Sequence, residues 1–116
     1  MKKAFTLPTC KTCVRIFEDL QPQQHGCEVV DIKSEGISAK DLDRMKELAG
    51  SYESLFSRRA MKFRSMGLAD KPLTEADYRK LILEEYTFLK RPVFLFDDQV
   101  TVGSAKVAVE IARAAL

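Results

Sequence analysis

Two cysteines two residues apart, Cys10-Lys11-Thr12-Cys13, are the part of this sequence best suited to chemistry. Cys10 follows a short apolar run closed by Pro8, and a helical pattern begins just after it. A thiolate at that junction faces unpaired backbone N–H groups and the positive end of the helix dipole. Both favour S⁻ over SH, and the thiolate is the nucleophile. Cys13, one turn further in, is placed to reach back to a mixed disulfide at Cys10 and release the partner. Lys11 adds positive charge, and Lys11 and Thr12 are grouped with the anion- and thiol-binding residues. The plainer alternatives are a buried structural pair or half of a zinc site. Zinc needs more ligands, and only Cys27 and His25 remain, both beside a strand start, so no metal is expected.

These residues must be positioned by the elements around them. Residues 4–7 read as a strand, 12–20 as a helix with Val14, Phe17 and Ile16 turned inward, and 27–32 as a β-branched strand. Strand–helix–strand predicts two parallel strands with a right-handed crossover. Ser38 is expected to cap a helix that runs to about Leu48 and ends at Gly50. Residues 51–63 read as fragmented helix, and Thr74 caps a helix from Glu75 to about Glu85. Residues 93–96 form a buried strand, Asp97-Asp98 a turn, 100–102 an antiparallel return, and 105–116 an amphipathic helix. The order β-α-β, helices, β-β-α predicts an α/β, thioredoxin-like fold. Its four-stranded mixed sheet has flanking helices, and 1–116 is one domain with a mostly helical insertion at about 35–90. In such a sheet a proline entering the third core strand is commonly cis. Pro92 would then hold backbone groups beside the thiol for an incoming chain, and Arg91 would bring a guanidinium to lower the Cys10 pKa and bind an oxyanion.

Composition narrows the classes. The chain has 116 residues, 46% of them apolar, which suits one core. Its 19 basic and 17 acidic residues nearly balance, so neither nucleic acid nor a membrane surface is an expected partner. The apolar run at 4–7 is too short for a signal-peptide core, and no run approaches a membrane span; the expected location is cytoplasmic. Three cysteines make no disulfide framework, so in a reducing compartment the pair reads as catalytic or redox-sensing. Cys27 reads as a buried thiol and His25 as a surface loop residue. Arg58, Arg59, Lys62 and Arg64 form a basic cluster at helical spacing, most simply a solvated face.

Four stretches, Leu7-Pro8-Thr9-Cys10-Lys11-Thr12-Cys13, Leu55-Phe56-Ser57-Arg58-Arg59, Lys90-Arg91-Pro92-Val93 and Gln99-Val100-Thr101-Val102-Gly103, together resemble the glutaredoxin-coupled arsenate reductase (ArsC) family. That family also contains the Spx-type regulators and YffB-type thiol reductases. The resemblance covers nearly the whole chain. It implies that Cys10 is the nucleophile and Arg91 the anion-binding arginine before the proline. Arg59, counted back from Gly67-Leu68, matches the arginine of the helical insertion, with Arg58 as competitor. Two positions depart from true arsenate reductases. Gly103-Ser104 stands where a third arginine is expected, and Cys13 stands where a serine is expected, which supplies a resolving thiol as in the Spx-type proteins.

The expected function is therefore a thiol-disulfide oxidoreductase, with Cys10 resolved by Cys13 and no bound cofactor. Glutathione, glutaredoxin or thioredoxin would be the reducing partner. An alternative is a redox-sensing regulator that binds a protein such as RNA polymerase; Gly50 falls one position from a glycine used for that contact in the Spx-type proteins. Arsenate reduction ranks third because of Ser104.

Overall fold

A computed structural model describes residues 2–116. The elements in chain order are β1 (Lys3–Thr6), α1 (Lys11–Leu20), β2 (Glu28–Asp31), α2 (Ala39–Ala49), α3 (Met61–Ser65), α4 (Glu75–Glu84), β3 (Val93–Leu95), β4 (Val100–Val102) and α5 (Lys106–Ala115). They fall into two compact units, Ile37–Lys90 and the remainder of the described chain.

In the first unit the strand order is β2-β1-β3-β4. β1 runs parallel to β2 and antiparallel to β3, with Phe5 opposite both Val30 and Val93. β3 pairs antiparallel with β4. The central position of β1 and β3 matches their composition, since Ala4, Phe5, Val93, Phe94 and Leu95 are all buried. The connection through α1 makes β1–α1–β2 the parallel crossover that the sequence predicts. Ala4, Ile16, Leu20, Cys27, Phe94, Phe96 and Ala112 form one buried cluster in which sheet, α1 and α5 meet. One expectation for α1 fails. Val14 is exposed, and the buried stripe is Cys13, Ile16 and Leu20. Those three follow helical spacing only when Cys13 is counted among the apolar positions.

In the second unit the caps act as predicted. Ser38 accepts the Asp41 N–H at 3.1 Å to open α2. Gly50 closes it at φ 100°, a backbone region that favours glycine. Thr74 and Asp77 form a reciprocal capping box at α4. The stretch 51–63 departs from expectation. It holds a single 3-10 turn at Glu53–Leu55, and helix begins only at Met61. Phe56 is extended and bridges Leu89, with hydrogen bonds from Ser57 N to Phe88 O at 2.7 Å and from Lys90 N to Leu55 O at 2.8 Å. Long-range pairing thus displaces the local helical tendency. The Phe56 ring stacks on Phe88 at 4.9 Å and meets Tyr78 and Phe63 at 4.9 and 5.9 Å. Arg79 donates to Asp43 at 2.8 Å, and the Tyr52 hydroxyl donates to the same oxygen. These two hydrogen bonds, the Arg79 one foremost, hold the Asp43 carboxyl down at about 2. Among the described residues no helix is long and apolar enough to cross a membrane.

Candidate functional site

The site begins with a turn. Leu7 C=O accepts the Cys10 N–H at 2.9 Å, and Cys10 C=O accepts the first helical hydrogen bond, from Val14 N, at 3.0 Å. Pro8, with its fixed φ and no N–H, suits the second position of such a turn. Cys10 is therefore the N-cap of α1, in extended conformation at φ −92° and ψ 113°. A serine or aspartate here would accept N–H groups of the first turn; in this chain a sulfur stands in that position. No side-chain hydrogen bond of ordinary length closes the cap. The N–H groups of Cys13 and Thr12 nonetheless favour its thiolate.

Cys10 is partly exposed, whereas Cys13 is fully buried; both are free thiols. Partial burial works against a Cys10 thiolate. The Cys13 N–H, the Cys13 thiol, the Thr12 N–H and the charge of Arg91 outweigh it, so the Cys10 pKa lies below the ordinary thiol value. Cys13 is shifted the other way. Burial raises its pKa, and its interaction with Cys10 raises it further, against hydrogen bonds from the Leu7 N–H and the Thr6 side chain. The two sulfurs are thus shifted apart, the partly exposed Cys10 downward and the buried Cys13 upward. Opposed shifts within one pair are a recurring feature of sites where two titratable groups take different roles.

Arg91 and Pro92 are brought to this site from the far end of the sequence. The Arg91–Pro92 peptide is cis, and Pro92 C=O accepts the Gly103 N–H at 2.9 Å as the chain leaves β4. Arg91 acts on Cys10 through charge and is the smallest of the named influences. A partly exposed charge of this kind contributes under about 1 kcal/mol, or less than about 0.7 of a pH unit. Arg91→Ala is therefore expected to raise the Cys10 alkylation midpoint by less than that amount. Arg91→Lys should retain most of the effect, because charge alone carries it. An unmoved midpoint in Arg91→Ala would remove Arg91 from the site. Lys11 is exposed at the first helical position, and Thr12 contributes through its backbone.

The arginine pair of the helical unit separates into two roles. Arg58 donates to Glu53 at 2.8 Å and to the Tyr78 hydroxyl at 2.9 Å, and lies over the Tyr78 ring at 5.7 Å. Arg59 is exposed and makes no hydrogen bond or ion pair among the described residues. It borders a groove of about 670 Å³ with Arg58, Met61, Phe63 and Arg64. Of the two, Arg59 is the one available to an anion. Cys27 belongs to the core and its pKa is raised by burial. His25 is exposed in a 3-10 turn. The contact that sequence reasoning missed is Thr6 on Cys13. A threonine in a strand is unremarkable as a type, and its only signal is a polar residue among buried neighbours.

The family model that matches this sequence is that of the ArsC family, over residues 5–111. The chain belongs to the ArsC family. Solved structures of similar fold include a YFFB protein, 23% identical with a TM-score of 0.80, covering 97% of this chain and 98% of the other. An ArsC family related protein from Bacteroides fragilis is 19% identical with a TM-score of 0.82, covering 96% of each. An arsenate reductase (ArsC) related protein from Brucella melitensis is 26% identical with a TM-score of 0.67, covering 95% and 92%. No curated protein matches. The sheet of this ArsC-family chain, with its flanking helices, is the thioredoxin-like fold of the family. At the level of the family the chain is a thiol-dependent oxidoreductase.

Proposed function

We propose that this chain is a thiol-disulfide oxidoreductase in which Cys10 is the nucleophile and Cys13 the resolving thiol. The observation that carries the proposal is the division of the pair into a partly exposed thiol with lowered pKa and a buried one with raised pKa. In the first step Cys10 S⁻ attacks a disulfide R–S–S–R. A Cys10–SR bond forms, the S–S bond of the substrate breaks, and its other half leaves as RS⁻, which solvent protonates. In the second step Cys13 gives up its proton to the medium and attacks the Cys10 sulfur; the Cys10–Cys13 bond forms, the Cys10–SR bond breaks, and a second RS⁻ leaves. Two electrons pass from the cysteine pair to the substrate disulfide. An external thiol, either glutathione or the dithiol of glutaredoxin or thioredoxin, returns them. Arg91 favours the thiolate, and Pro92 offers its strand entry to an incoming chain. Arg59 enters the proposal as an anion-binding residue by its match to the family motif and its availability.

The test has two arms. Oxidised protein is incubated separately with glutathione, glutaredoxin and thioredoxin, and free thiols are counted by mass after alkylation. At least one reductant is expected to restore both Cys10 and Cys13, while arsenate turnover stays weak with Ser104 in the third arginine's place. In the other arm Cys13→Ala is treated with oxidised glutathione. It should hold a glutathione adduct that wild type sheds. Equal retention in the two proteins would show that Cys13 does not resolve.

A further inference from the structure

Thr6 and Thr101 are the buried polar residues of the described chain. In β1, alternation places Thr6 on the same face as Ala4. Ala4 packs in the cluster with Ile16 and Leu20 of α1, and Cys13 is the N-terminal member of that same buried helical stripe. Strand geometry and helix geometry thus independently bring Thr6 and Cys13 together, at the end of β1 and the first turn of α1. The backbone of Thr6 is occupied in the sheet, with its C=O accepting Ile32 N at 3.0 Å. Its side chain and the Leu7 N–H both favour the ionised form of Cys13, which places them within reach of that sulfur.

We propose that Thr6 is the positioning residue of the resolving thiol, its hydroxyl and the Leu7 N–H forming a donor pair that receives the Cys13 thiolate as it attacks Cys10. The inference rests on the thiol-disulfide reading above. In the reduced pair Cys13 S–H has Cys10 S⁻ as acceptor. Once Cys10 is bound in a mixed disulfide that acceptor and its charge are gone. Cys13 must then lose its proton to a base in the medium while its sulfur stays buried, and an ionised buried group needs donors around it. Thr6 and Leu7 supply them. Cys13 S⁻ then forms the bond to Cys10 Sγ, the Cys10–SR bond breaks, Cys13 is oxidised, and RS⁻ leaves with the electron pair and is protonated by the medium.

Thr6→Val keeps the shape and the β-branch and removes the donor. Losing one hydrogen bond to a charged group lowers the thiolate fraction by about tenfold. The more basic thiolate is a better nucleophile and recovers part of this, which leaves resolution about threefold slower near neutral pH. Reduced protein is mixed with excess oxidised glutathione, quenched in acid at intervals, and followed by intact mass across a pH series. In Thr6→Val the glutathione adduct is expected to persist longer, with the pH midpoint of its decay raised by about one unit. Adduct formation at Cys10 should proceed at the wild-type rate. Thr6→Ser, which keeps the hydroxyl, should restore both decay rate and midpoint. An unchanged midpoint and decay rate in Thr6→Val would overturn the role of Thr6 and leave the two-cysteine mechanism standing. Failure of Thr6→Ser to rescue would assign the effect to packing and also overturn it. If wild type forms no glutathione adduct and no Cys10–Cys13 disulfide, the underlying reading fails and this inference with it.

Discussion

Cys10→Ser is expected to reduce the reaction with oxidised glutathione to the level of a protein-free blank while leaving the fold intact. The two halves of this expectation come from the same position. Cys10 is the N-cap of α1, and serine is among the preferred N-cap residues. The substitution therefore suits the local structure, and loss of reactivity cannot be assigned to unfolding. A serine hydroxyl is not ionised in this pH range and does not exchange with disulfides. The remaining thiols cannot substitute. Cys13 is fully closed to solvent and Cys27 is 6% exposed, and burial raises the pKa of each. Stopped-flow release of glutathione, with thermal unfolding as the control, makes the measurement. Wild-type rates in Cys10→Ser would move the chemistry to another cysteine.

Phe56→Ala is the substitution with the largest expected cost to stability, about 3–5 kcal/mol for a buried phenylalanine. Against a typical total of about 5–15 kcal/mol, that removes a large share. Phe56 is wholly buried. Its ring touches Phe88, Tyr78 and Phe63, and its backbone forms the bridge to Leu89. Truncation removes the centre of the aromatic group and leaves a cavity among rings held in place by their own backbones. The chain has no tryptophan, and its tyrosines, Tyr52, Tyr78 and Tyr86, all lie in the helical unit. Tyrosine fluorescence in a urea titration therefore reports on the unit that contains the substitution. A loss below about 1 kcal/mol would mean that Phe56 does not organise that unit.

Much of this architecture was legible in the sequence because local rules and global fold agree. Ser38 and Thr74 opened helices where their side chains predicted, and Gly50 closed one. The β-branched content of 27–32 and the apolar run of 93–96 marked strands, and the placement of Cys10 between strand and helix followed from Pro8 and the onset of helical spacing. The failures have a common cause. Val14 looked like a core position until Cys13, an apolar residue when protonated, took its place in the stripe. The helical tendency of 51–63 lost to pairing between Phe56 and Leu89, 33 positions apart in the numbering. Arg58 and Arg59 are indistinguishable as neighbours in a sequence. They part only because Glu53 and Tyr78 are folded against the first. The influence of Thr6 on Cys13 is of the same kind, a relation between residues whose types alone predict nothing about each other.

If the fold makes Cys10 the activated thiol, the pH dependence of alkylation in reduced wild-type protein, resolved by cysteine through peptide mass, tests it most directly. The Cys10 pKa is lowered in the folded state, so its alkylation should reach half its limiting rate below the free-thiol value of about 8.5. Over the same range Cys13 and Cys27 should react slowly, because each is buried and its pKa is raised. A Cys10 midpoint at or above the free-thiol value, or faster labelling of Cys13 than of Cys10, would contradict the account.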